Sequence, residues 1–351
     1  MKKRAVSVLM AAVMAAVAVT GCGGTERETA APAEEAAGST DAQGAASGEQ
    51  EEDRYRIAVV KQMDHASLDE IADAICEELG QIAADTGVAM EYEVYSGQGD
   101  QSVLTQIGTQ VISEGADVVI PIATLAAQVM ATCAEETKTP VVYAAISDPE
   151  GADMTGIDYV TGTSDALNTS FIMDMMLAQN PEVKKVGLLY SLSEDNSAAP
   201  IAEAKAYLDE KGIAYVEKTA NTNDEVITAA SALIGEKVDA VFTPTDNVIM
   251  AAELAIYEDL AAAGIPHYTG ADSFVRNGAF ATCGVNYTEL GHETADLAYR
   301  ALTEGMEDLE DYYLMEGGII TVNTETAEAL GADYTAFASM GEVAEVTTTE
   351  D

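Results

Sequence analysis

Short unbroken apolar runs alternate with longer helical segments along this chain, and the whole alternation occurs twice. The first round opens at residues 56–61 (RIAVVK). A helical spacing follows over 67–86, through Leu68, Ile71, Ile75 and Leu79. Residues 90–95, 117–122 and 140–145 read as further strands, with helices over 102–115 and 125–137 between them. The pattern restarts with a strand at 185–190 (KVGLLY) and a helix at 200–211. Strands at 214–218, 240–244 and 267–270 then alternate with helices at 224–235 and 247–263. A strand that is apolar on successive positions is covered on both faces, which is the condition of a parallel sheet flanked by helices. Two such rounds predict two α/β lobes of one design, with 156–163 as a crossover. A helix over 290–302 and a strand over 317–321 remain, placed by a return to the first lobe and a second crossing.

The first 22 residues have a different logic. Lys2, Lys3 and Arg4 precede an apolar run from Ala5 to Val19, and Val19-Thr20-Gly21-Cys22 follows. A basic start and a short apolar segment are the pattern of an export signal, and the run is shorter than a membrane-spanning helix requires. The tetrapeptide resembles a bacterial lipobox, which implies a diacylglycerol on Cys22, with palmitate-type chains, and a location on the extracytoplasmic face of the cell membrane. Residues 23–53 are Gly, Ala, Glu, Ser and Thr with almost no large apolar side chain, so they cannot bury enough surface to fold and read as a flexible acidic tether. The predicted division is a leader over 1–22, the tether, an N-terminal lobe of 55–162 plus 286–312, a C-terminal lobe of 163–285 plus 313–340, and a tail over 341–351.

Charge narrows the partners. With 61 acidic and 16 basic residues the net charge is −45, a surface that repels nucleic acid and anionic lipid. A DNA-binding regulator of two-lobe design would need a basic helix-turn-helix at its start, where this chain has a leader. Beyond Cys22 there are Cys76, Cys133 and Cys283. Their spacing fits no metal or redox motif; they read as small core residues, with a Cys76–Cys133 disulfide left open. No nucleophile elbow, zinc helix, P-loop or dinucleotide glycine pattern occurs, so the chain reads as a binding protein without cofactor or metal rather than an enzyme.

Open parallel sheets bind ligands beyond the carboxyl ends of their strands. In the first lobe those ends carry Asp64 and His65, then Gln98 and Gly99, then Ala123 and Thr124, then Ala145 and Ser147. In the second they carry Tyr190 and Asn196, then Thr245, Asp246 and Asn247, then Asp272 and Phe274. Short polar side chains gather there while the strands are apolar. Several of these residues also stand just before helices, where N-capping is a sufficient reason for them.

The same strand ends carry a resemblance. HASLD (65–69), SGQGDQS (96–102), IATLAAQ (122–128), ISDPEGA (146–152), SEDNS (193–197), TPTDN (243–247) and GVNYTELG (284–291) resemble, in order, the substrate-binding lipoproteins of ABC transporters with the type I periplasmic-binding-protein fold. The similarity is to the group tied to tryptophan and tyrosine uptake. It implies two Rossmann-like lobes with parallel sheets joined by a multi-strand hinge. It also implies a monomer that captures an aromatic amino acid and passes it to a membrane permease and its ATPase. For a zwitterionic ligand, Asp246 and Asp272 are then candidates for the ammonium. Thr124, Ser147 and the N–H groups after Ala123 are candidates for the carboxylate. Tyr190, Phe274 and Tyr95 could stack on an aromatic ring, and Asn196 and His65 could bond the ligand or the opposite lobe. Rival readings are a nucleoside or sugar ligand on the same fold, and a subunit that presents its ligand to a signalling receptor.

Overall fold

The computed structural model describes residues 54–349. The leader, the tether and the last two residues of the expected tail lie outside the described residues. In chain order the elements are β1 (Arg54–Lys61), α1 (Ala66–Thr86), β2 (Ala89–Ser96), α2 (Gln101–Ser113), β3 (Val118–Ile122), α3 (Thr124–Ala134), β4 (Val141–Tyr143) and β5 (Val160–Ser164). There follow α4 (Thr169–Gln179), β6 (Lys185–Tyr190), α5 (Ala198–Lys211), β7 (Ala214–Thr219), α6 (Asn223–Glu236), β8 (Ala240–Thr243), α7 (Asn247–Met250), α8 (Tyr257–Ala262) and β9 (His267–Thr269). The remainder is α9 (Asp272–Arg276), β10 (Ala281–Val285), α10 (Tyr287–Glu304), β11 (Tyr313–Leu314), β12 (Gly317–Asn323), α11 (Thr324–Leu330) and β13 (Val343–Val346).

These strands form two sheets, ordered β11-β5-β4-β3-β1-β2 and β13-β12-β10-β9-β8-β6-β7. All pairings in the first are parallel. In the second, β12 runs antiparallel to β10 and the others are parallel. Central strands such as β3 are buried along their whole length, as expected where helices cover both faces. In each sheet the first strand of the lobe lies inside the second and beside the third, so the winding direction reverses between β1 and β3 and again between β6 and β8. A reversal of this kind opens a crevice at the carboxyl ends of the two strands.

The chain passes between the sheets three times: from β5 to α4, from β10 to α10, and from β11 to β12. Helix α10 therefore comes late in sequence yet packs on α1 of the first lobe. Gly291 permits this approach. A Cβ there would stand 2.6 Å from the Ala74 Cβ and 2.9 Å from the Ile71 carbonyl oxygen, nearer than packed atoms tolerate. Among the described residues no helix is long and apolar enough to cross a membrane.

Several expectations need correction. The crossover predicted at 156–163 contains a strand, β5. Its sequence VTGTS is too polar to read as a buried strand, yet Thr161 and Thr163 are fully buried, with hydroxyls bonded to the Glu310 carbonyl (2.7 Å) and to Thr294 (2.8 Å). Tyr313 and Leu314 pair with β5 in the first sheet, although 313–340 was expected in the second lobe. Val343–Val346 pairs with β12 as an edge strand, where a tail was expected. The long helix predicted over 247–263 breaks into α7, a 3-10 turn at Glu253–Ala255, and α8. The break brings Glu253 into the core, where its carboxylate meets His267 Nδ1 at 2.9 Å. Cys76, Cys133 and Cys283 are free thiols, so the Cys76–Cys133 disulfide is absent; Cys283 is buried and the other two are half-buried.

Candidate functional site

A narrow cavity lies where the two winding reversals face each other. Its first-lobe wall comes from the ends of β1 (His65), β3 (Ala123, Thr124), β4 (Ala145, Ser147) and β5 (Asp165). Its second-lobe wall comes from the loop after β6 (Asn196), from the β8–α7 junction (Thr245, Asp246, Asn247) and from the start of α9 (Ala271, Phe274). Leu68, Ile71, Met250 and Phe274 supply apolar surface, and Tyr287 opens α10 against Asp165.

The chain turns sharply where it meets this cavity. Ala123 has φ +75° and Ala145 has φ +57°, a region that residues with a Cβ seldom occupy and that concentrates at ligand sites. Ala123 leads into α3. Thr124, the first residue of that helix, is 3% exposed, and its hydroxyl has no hydrogen-bond partner. Leaving a buried hydroxyl unpaired costs about 1–3 kcal/mol, so this oxygen stands ready for a group that enters the cavity. The N-terminus of an 11-residue helix beside it favours negative charge.

His65 shows the same readiness. Its Nε2 lies 3.0 Å from Asn247 Oδ1, and Asn247 Nδ2 donates to Glu194 Oε2 at 2.6 Å. The amide orientation leaves His65 Nε2 as the donor, so Nδ1 is a lone-pair acceptor, buried and unpartnered. Burial holds the imidazole down to about 4 despite the hydrogen bond to Asn247, so it is neutral at physiological pH.

The two walls are stitched together above the cavity. Glu194, from the loop after β6, accepts from Gln62 Nε2 at 2.7 Å and from Asn247. Gln62 Oε1 in turn accepts from the Leu125 backbone N–H at 3.1 Å. The Ser147 and Thr245 hydroxyls meet at 2.9 Å, and Ser67 meets Ser273. Arg276 of α9 pairs with Glu70 of α1. Glu194 is 7% exposed. Burial, reinforced by the Asp246 carboxylate, pushes its carboxyl up to about 8.

Known proteins share this fold. A sequence model of the ABC transporter substrate binding protein family matches residues 56–336. The chain belongs to that family. A relative named tyrosine-binding protein, from Clostridioides difficile (strain R20291), is 28% identical over 280 residues, 78% of this chain and 80% of its own. An ABC domain from Streptococcus pneumonia solved with L-Trp is 28% identical, with a TM-score of 0.74 over 82% of this chain and 100% of its own. A ligand-free, open substrate-binding protein with adhesive properties from Clostridium difficile is 25% identical, with a TM-score of 0.63 over 84% and 100% of the two chains. The fold is that of the type I periplasmic binding proteins.

Of the strand-end candidates in this substrate-binding protein, His65, Ala123, Thr124, Ala145, Ser147, Asn196, Thr245, Asp246, Asn247 and Phe274 line the cavity. Five others do not. Asp64 pairs with Lys61 at 2.8 Å and accepts from Ser96. Gln98 and Gly99 form a left-handed turn after β2, the outermost strand of its sheet and one place removed from the reversal. Tyr190 sends its hydroxyl outward to Glu217 on β7, 2.8 Å away, and Tyr95 likewise bonds Glu93. Asp272 turns to Arg276 at 3.0 Å; its neighbours Ala271 and Phe274 face the cavity instead.

Roles change as well. Asp246 borders the cavity, but its oxygens accept from the Ser191 N–H (2.6 Å), the Ser197 hydroxyl (2.7 Å) and the Ile249 N–H (3.0 Å). It caps α7 and fastens it to the loop after β6, which leaves it a poor partner for an ammonium. The Ser147 hydroxyl donates to Asp165 Oδ1 at 2.8 Å, so it is not free to donate to a carboxylate. Asn196 holds the Thr245 carbonyl at 2.6 Å, inside its own lobe. Sequence reasoning missed Asp165, Ser67 and Tyr287 in the wall. Asp165 follows β5, whose threonines read as too polar for a buried strand, so the sequence marks no strand end there.

Proposed function

We propose that this protein is the lipid-anchored, extracytoplasmic binding component of an ABC importer, and that it captures an aromatic amino acid between its lobes. The observation that carries the ligand class is a cavity wall of mixed character. It offers the unpaired Thr124 hydroxyl at the N-terminus of α3. It also presents Leu68, Ile71, Met250 and Phe274. An amino acid's carboxylate suits the first and an apolar ring the second, where edge or offset packing on Phe274 adds to burial. No lysine or arginine lines the wall, which disfavours a phosphorylated or dicarboxylate ligand, since such anions are normally met by Arg or Lys. The names of the tyrosine-binding and L-Trp-bound relatives support the same class.

The lobes close about the three crossings. In support, the superposition is better on the L-Trp-bound relative than on the open, ligand-free one. The protein acts as a monomer that delivers its ligand to a permease and ATPase. The lipobox-like Cys22 anchors it through acyl chains, two of which hold firmly where one does not.

A thermal-shift screen of the protein against amino acids, nucleosides and sugars tests the ligand class. A ligand at 100 times its Kd stabilises by about 2.7 kcal/mol. A shift confined to tyrosine, tryptophan and phenylalanine supports the proposal; a shift with nucleosides or sugars alone overturns the ligand class. The Cys22→Ser variant is expected in the soluble fraction, and its retention on membranes would contradict the anchor.

A further inference from the structure

We infer that Asp165 is the counter-ion for the ammonium group of the bound amino acid, an inference that rests on the amino-acid reading above. Two carboxylates border the cavity, Asp165 and Asp246. Asp246 is occupied by three donors of its own lobe. Asp165 accepts one bond at each oxygen, from Ser147 at 2.8 Å and from the Tyr287 hydroxyl at 2.9 Å. A carboxylate has about four acceptor sites, so about half of its capacity is open.

Asp165 is 5% exposed, and among the described residues no cation pairs with it. Lys61 is paired with Asp64 and Asp69, and Arg276 with Glu70 and Asp272. His65, the one basic side chain in the wall, is neutral. Burial pushes the Asp165 carboxyl up, and the hydroxyls of Ser147 and Tyr287 oppose that shift. A buried carboxylate without a partner charge is unfavourable, and a cation arriving with the ligand completes it. The position also suits the task. Asp165 ends β5 at the first crossing between lobes, and Ser147, which donates to it, touches Thr245 of the opposite lobe. An ammonium on Asp165 is thereby bound next to a contact that forms only when the walls meet.

The test is calorimetry on the wild-type chain and the Asp165→Asn variant, with two matched pairs of ligands. One pair is L-tyrosine and 3-(4-hydroxyphenyl)propanoate; the other is L-tryptophan and indole-3-propanoate. Each second member lacks the ammonium alone. Wild type is expected to prefer the amino acid by about a hundredfold, the scale of a buried charge pair. Asp165→Asn should lose most of that factor for the amino acid, while its affinity for the desamino compound stays within a fewfold. Equal wild-type affinity for both members of a pair would overturn the inference, and this result needs no variant to fold. An undiminished preference in a folded Asp165→Asn protein would overturn it too. If wild type binds neither amino acid, the amino-acid reading itself fails and takes the inference with it.

Discussion

Glu194 makes ligand capture sensitive to pH in a way that can be worked out in advance. In the closed arrangement its carboxyl is pushed up to about 8 from the ordinary 4.5, first by burial and then by the Asp246 carboxylate, against the donors from Asn247 and Gln62. Opening the cleft would return it to water and toward its ordinary value. Closure then takes up a proton between about 4.5 and about 8, so it is strongest below that window, weakens as pH rises across it and levels off above about 8. His65 works in the opposite sense, because closure lowers it from 6.5 to about 4 and expels a proton in that lower range. Asp272, raised by burial to about 6, also titrates there. Above pH 6.5 both are completing their transitions, with His65 offsetting the fall by about twofold, and Glu194 dominates. Each pH unit is worth a factor of ten, or 1.36 kcal/mol. From pH 6.5 to 8 Glu194 alone should lower the apparent affinity by about 16-fold, since its slope flattens near 8, and with His65 opposing it the fall should be about tenfold, or about 1.4 kcal/mol. Calorimetry with L-tyrosine across this range is the assay, with Glu194→Gln as the control that keeps the size of the side chain and removes the titrating group, at the loss of one of its two accepted bonds. The variant should lose the decline. A wild-type affinity that is flat from pH 6.5 to 8, or an equal decline in Glu194→Gln, would refute the reasoning.

Three other perturbations have distinct outcomes. Thr124→Val should raise the ligand-free melting temperature, because it removes a buried hydroxyl that has no partner there, yet weaken amino-acid binding about tenfold in calorimetry, the scale of one hydrogen bond. Gly291→Ala places a Cβ against α1 and should cost about 1–3 kcal/mol in urea unfolding. Asp246→Ala removes the cap of α7 and strands the Ser191 N–H and Ser197 hydroxyl; it should cost at least about 2 kcal/mol of stability in the ligand-free protein, and undiminished stability would show that these bonds contribute little.

Legibility in the sequence followed burial and composition. The strands over 56–61, 185–190 and 240–244 announced themselves because their central positions are apolar and covered on both faces. β5 and β10 did not. VTGTS satisfies its hydroxyls internally, and ATCGV mixes small and polar residues around an antiparallel pairing that a periodicity cannot anticipate. The helical period over 247–263 was real, but the helix is interrupted by a 3-10 turn that puts Glu253 in the core. At the site, strand ends were enough to find most of the wall, since the geometry of parallel sheets fixes where a crevice opens. They could not tell which side of the strand end faced inward, so Tyr190 and Asp64 were included. Nor could they separate a cap from a ligand contact at Asp246, because both uses favour an acid at a helix start. Glu194 lay within SEDNS, but its role needed the opposite lobe: nothing local to it predicts Gln62 as a partner.

A crystal structure of the protein grown with L-tyrosine or L-tryptophan tests the central claim most directly. The account predicts one molecule between the lobes, with its carboxylate at Thr124 and the start of α3, its ammonium on Asp165, and its ring against Phe274 and Met250. A ligand bound outside the cleft, or inside it with the ring turned toward Thr124, would contradict the account.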